Sequence, residues 1–99
     1  MDNKIKAFMR VPNDPYGFFE ITIPNRLEVF QALVDGYIET VTIGAGVVAV
    51  CNEEGRLRGL PHCCDISGIG FVGNVLLVGV LDEDFADCPL SLESVRAIT

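Results

Sequence analysis

Tryptophan is absent, histidine occurs once, and seven basic residues face fourteen acidic ones. Each shortage excludes a class of function. With His62 as the sole imidazole, no Ser-His-Asp relay can be assembled without it. A net charge of −7 repels the phosphate backbone, so nucleic acid is not an expected partner. The longest apolar run, residues 71–81, is too short to span a bilayer and is interrupted by Asn74, so no membrane is expected. The opening MDNKIKAFMRVPNDPYG has neither an apolar segment nor a small-residue cleavage site, and no secretory signal is expected from it. Four cysteines in such a chain point to reduced thiols, and the expected compartment is the cytoplasm.

What is present is apolar matter. Ninety-nine residues suffice for one domain over 1–99 with a single core. Hydrophobic residues make up 49% of the chain and mean hydropathy is +0.39, high for so small a domain. Such a surface is sticky, and self-association into a homo-oligomer is the simplest way to hide it.

Periodicity divides the chain into elements. Residues 4–10 alternate as a strand, with Ile5, Ala7 and Met9 on one side; VPNDPYG turns, and residues 18–23 alternate again, which reads as a hairpin. Asn25 is expected to cap a helix, with Glu28 as its capping-box partner; Leu27, Phe30 and Val34 form the apolar stripe and Gly36 the left-handed stop. Strands are expected at 37–43 and 47–52 around the Gly44-Ala45-Gly46 turn. After the tight turn 52–55, residues 56–60 are expected to run extended and 62–70 to be irregular. Residues 71–81 read as one long strand, apolar on both faces as buried central strands are. An acidic loop then leads to Ser91, the expected cap of a short C-terminal helix. The expected class is α+β: a curved, mostly antiparallel sheet of about five or six strands, one principal helix and a short C-terminal one. Two helices are few to cover such a sheet, which favours a second subunit packed on it.

The chemistry-bearing motifs are weak. Residues 68–73 match G-x-G-x-x-G, yet a strand rather than a helix follows, so no dinucleotide cofactor is expected. His62-Cys63-Cys64 lacks the spacing of zinc ligands, because adjacent side chains of an extended chain diverge. The carboxylate pairs Glu53-Glu54 and Asp82-Glu83-Asp84 lie in turn-like stretches and read as solvated acids rather than catalytic ones. No catalytic residue, metal or cofactor is expected. Arg56 and Arg58 alternate in a segment read as extended and so point the same way, either as a clamp for a phosphate or carboxylate or as solvated edge charges. With Tyr37, Glu39, Asn52 and Asn74 at strand ends, they form the expected ligand-binding set.

Three blocks carry a resemblance: 29–39 (VFQALVDGYIE), 51–61 (CNEEGRLRGLP) and 73–79 (GNVLLVG). Together the chain resembles a family of short domain-of-unknown-function proteins of bacterial phages, plasmids and integrated elements. It departs near Cys63, where that family commonly carries an asparagine soon after Leu-Pro. The resemblance implies a soluble, non-enzymatic accessory protein. The expected function is to counter host defence by sequestering a small nucleotide signal. The alternative is an acidic interaction module that inhibits a basic host protein.

Overall fold

Strands β1 (Lys4–Arg10) and β2 (Phe19–Pro24) form the expected antiparallel hairpin in the computed structural model, which describes residues 3–99. Helix α1 (Leu27–Val34) follows, then a second hairpin of β3 (Ile38–Gly44) and β4 (Val47–Asn52). Next come β5 (His62–Ile66), β6 (Ile69–Val72), β7 (Val75–Leu81), β8 (Asp84–Ala86) and α2 (Leu92–Ile98). The main sheet runs β2-β1-β7-β4-β3, with β8 on the end of β7, and these pairings are antiparallel. β5 and β6 pair only with each other. The expected α+β class, the open antiparallel sheet and both helices are all present.

Alternation along the central strands sends side chains to two cores. Ile5, Ala7 and Met9 of β1, Val48 and Val50 of β4, and Leu76 and Val78 of β7 pack against Phe30 and Val34 of α1. On the opposite face, Phe8, Val47, Ala49, Val75 and Leu77 meet Ile66 of β5, Phe71 of β6 and Val95 of α2. β7 is thus buried on both sides, as its composition predicts. The β5–β6 hairpin and α2 cover the face that α1 leaves bare. The central strands therefore need no second copy to bury them, and only the apolar composition still favours self-association.

Several boundaries differ from expectation, each for a local reason. Arg26, not Asn25, is the cap residue of α1 and makes no side-chain cap bond; Asn25 Nδ2 instead donates to the Phe85 carbonyl at 2.9 Å, tying the helix start to β8. The left-handed residue at the helix end is Asp35 (φ 61°), one position before Gly36. The segment 62–70 is ordered as β5, a Ser67-Gly68 turn with both φ positive, and the start of β6. A bulge between His62 and Cys64 breaks the alternation that would reveal it. The expected long strand 71–81 is broken at Gly73 (φ 71°) and Asn74. The acidic loop holds β8, entered through Asp82 (φ 50°) and Glu83 (φ 70°), a two-residue turn with both φ positive. Ser91 caps α2 as expected, accepting from the Ser94 amide. Among the described residues, no helix is long and apolar enough to cross a membrane.

Candidate functional site

The last carbonyls of a helix have no partner within it and must find donors elsewhere. At the end of α1 they find three side chains from distant parts of the chain. Asn74 Nδ2 donates to the Leu33 carbonyl at 2.9 Å, and Asn52 Nδ2 to those of Val34 and Asp35 at 3.0 Å each. Arg58 donates through Nη1 to the Asp35 carbonyl and through Nη2 to Asp35 Oδ2 at 3.0 Å. The remaining acceptor of Asn52, Oδ1, takes the Glu54 amide at 2.8 Å. Gly36 is required beneath this cluster: its φ is +154°, and a Cβ there would lie 2.7 Å from Asn52 Nδ2. Three of the six expected ligand-binding residues (Asn52, Arg58 and Asn74) therefore hold the helix end in place.

Residues 53–59 form successive turns rather than an extended segment. The Arg58 amide donates to the Glu54 carbonyl at 2.9 Å, and that of Leu60 to the Gly55 carbonyl at 2.9 Å. The two arginines consequently diverge. Arg56 Nη2 donates to the Gly70 carbonyl of β6 at 2.8 Å, while Arg58 turns to α1. They form no joint clamp.

Arg56 instead closes one side of a cleft of about 260 Å³ between β3, β4, the 53–59 turns and β6. Val41, Cys51 and Phe71 contribute its apolar wall, and Glu39, Glu53 and Arg56 its charged rim. Leu57, 91% exposed, stands at its edge. Asn52 borders the same space, but its amide is engaged with α1. Tyr37 is exposed beside β3, its carbonyl accepting the Glu53 amide at 2.8 Å. Glu39, Asn52 and Arg56 are thus brought together, whereas Tyr37, Arg58 and Asn74 do not line this cleft.

Burial pushes the Cys51 thiol up from its ordinary pKa, and the Glu39 carboxylate adds to this, so the sulfur stays protonated near neutrality. A protonated, desolvated thiol is a poor nucleophile. His62 lies 3.7 Å from Asp65, both on the solvent-facing side of β5. Among the described residues, no group of three or more His, Cys, Asp or Glu is placed to hold a metal ion. The apolar lining (Val41, Leu57, Ile69, Phe71) lies outside the expected set. Its one legible trace is Leu57, a bulky apolar residue alone in the polar run NEEGRLRG.

Residues 5–99 match the model of a family described as a domain of unknown function, DUF3846. No curated protein and no solved structure matches the chain. The match spans both cores, the capped helix end and the cleft beside β3, and on it the chain belongs to the DUF3846 family.

Proposed function

We propose that the domain is a non-enzymatic protein-binding module that takes up an extended, basic and partly apolar segment of a partner along the free edge of β3. The observation that carries this reading is the junction of an unpaired strand edge with an apolar cleft rimmed by carboxylates. β3 ends the sheet. The Tyr37 carbonyl bonds toward β4, so by antiparallel alternation the backbone groups of Ile38, Thr40 and Thr42 point outward. An added strand would gain main-chain hydrogen bonds there, and its side chains on the Glu39–Val41 face would reach the cleft. Glu39 and Glu53 favour lysine or arginine at that point, and the charge of −7 favours a basic partner throughout. The mobile-element resemblance supports a host protein as that partner, in the cytoplasm.

A small nucleotide finds less support. The cleft is below the range of about 300–1,000 Å³ usual for small-molecule sites. Two carboxylates also face a single arginine already bonded to Gly70. In the register centred on Glu39, a second copy of the chain would set two carboxylates opposite each other, which disfavours that self-pairing.

The test is an amide-resolved NMR titration of the labelled protein with a peptide alternating lysine and valine, and in parallel with cyclic dinucleotides. Shifts concentrated in β3 and β6, weakening as salt rises and abolished by Thr40→Pro, are expected for the peptide alone. No shift, shifts elsewhere, a response to nucleotides only, or dimerisation through β3 would overturn the reading.

A further inference from the structure

Cys63 and Cys64 occupy the bulge of β5. His62 is opposite Val72 and Cys64 opposite Phe71, leaving Cys63 as the extra residue. Neighbours in a regular strand point to opposite faces. Here both thiols are buried in the same core, on the face of the sheet covered by β5, β6 and α2. Cys63 Sγ donates to the Arg10 carbonyl at 3.5 Å, and Cys64 is its immediate neighbour on the chain. The other two cysteines have different surroundings: Glu39 and Arg56 act on Cys51, and the Leu90 backbone and Lys6 on Cys88.

We propose that Cys63 and Cys64 form a modification site, a vicinal dithiol that small disulfides of the glutathione class convert reversibly into a Cys63–Cys64 disulfide. Cys64 is the attacking sulfur. The adjacent Cys63 thiol, able to donate to Cys64 Sγ once that sulfur is charged, favours its thiolate against the opposing effect of burial. The Arg10 guanidinium adds to this, its buried Nε having no hydrogen-bond partner among the described residues. The thiolate attacks one sulfur of the small disulfide, forming a mixed disulfide and releasing one small thiolate. Cys63 gives up its proton to solvent and attacks Cys64 Sγ, closing the ring and releasing the second small thiolate. Two electrons pass from the protein sulfurs to the reagent, and two small thiols are produced for each ring closed.

Access and reversibility both follow from the fold. Among the described residues β5 and β6 pair only with each other, so the backbone ladder of the main sheet can stay closed while side-chain packing over the two thiols, 6% and 5% exposed, opens locally to admit the reagent. Neighbouring Cα atoms are about 3.8 Å apart across a trans peptide, short of the roughly 4.4–6.8 Å usual for disulfides. The resulting ring is strained and readily reduced, as regulatory disulfides are. The site does not depend on what β3 binds.

The folded protein, incubated in glutathione buffers from fully reduced to fully oxidised, alkylated and read by intact mass and peptide mapping, tests this. Expected are loss of two hydrogens, protection of two thiols that map to Cys63 and Cys64, and reversal by dithiothreitol. The Cys51→Ser/Cys88→Ser variant is expected to behave alike, and Cys63→Ser to stop at a single glutathione adduct. Mapping on the unsubstituted protein decides the matter where a variant does not fold. A bond involving Cys51 or Cys88, a bond between chains, an adduct that never closes, or no reaction at any ratio would overturn the proposal.

Discussion

Asn52 is 5% exposed and uses both ends of its amide, donating to two helix carbonyls and accepting one turn amide. Replacing it with alanine removes all three bonds and takes from the buried Val34 carbonyl its side-chain donor, while Arg58 still serves the Asp35 carbonyl. That deletion is expected to cost about 2 kcal/mol, read as a lower midpoint in urea unfolding, because desolvated polar groups without partners cost roughly 1–3 kcal/mol. Arg56→Ala serves as the comparison; its bond to Gly70 is exposed, and under about 1 kcal/mol is expected. The polar residues at strand ends are legible from the sequence as a set that does something. What they do is not, because a side chain that caps a helix and one that binds a ligand carry the same donors. Only the meeting of residues 33–35, 52, 58 and 74 at one turn separates the two roles.

Among elements, α1 and the strands β1, β2, β3 and β4 are legible because their apolar spacing is regular and turn residues bracket them. Those that are not legible carry an interruption. The bulge at Cys63 hides β5, Gly73 and Asn74 divide what reads as one strand, and β8 is three residues long in an acidic stretch. Arg56 and Arg58 are misread for a related reason: the bonds that turn 53–59 are main-chain bonds, which side-chain periodicity does not report. β7 adds a constraint invisible in its pattern. Gly79 lies beneath the backbone of Asp87, and a Cβ there would sit 2.2 Å from the Asp87 carbonyl oxygen. Gly79→Ala is expected to destabilise by on the order of 2–3 kcal/mol, at the upper end of overpacking costs. Gly44→Ala, where a Cβ meets nothing within 4 Å, is expected to leave the melting temperature nearly unchanged. Equal effects from the two substitutions would contradict this account.

For the whole molecule, four buried thiols in one core make stability depend on alkaline pH. Burial raises the pKa of Cys51 and Cys88, and the hydrogen bond to Cys64 followed by burial raises that of Cys63; Cys64 is lowered by the same bond. A raised thiol contributes stability that is complete below the unfolded value of about 8.5 and is lost as pH climbs through the folded one. The lowered Cys64 acts oppositely, contributing above the unfolded value. The contribution of Cys64 is already complete above the unfolded value, so the raised thiols decide the slope there and the unfolding free energy is expected to fall as pH rises above about 8.5. Urea titrations at intervals across that range measure it, and a flat profile would refute the assignment. The capped end of α1 has a further consequence at this scale, for how the chain finds its alignment. Sliding β4 by one residue would carry Asn52 to the opposite face of the sheet, and a similar slip at the start of β7 would withdraw Asn74. The helix terminus thus acts as a gauge of strand register, closing only when two strands far apart in sequence are both in step.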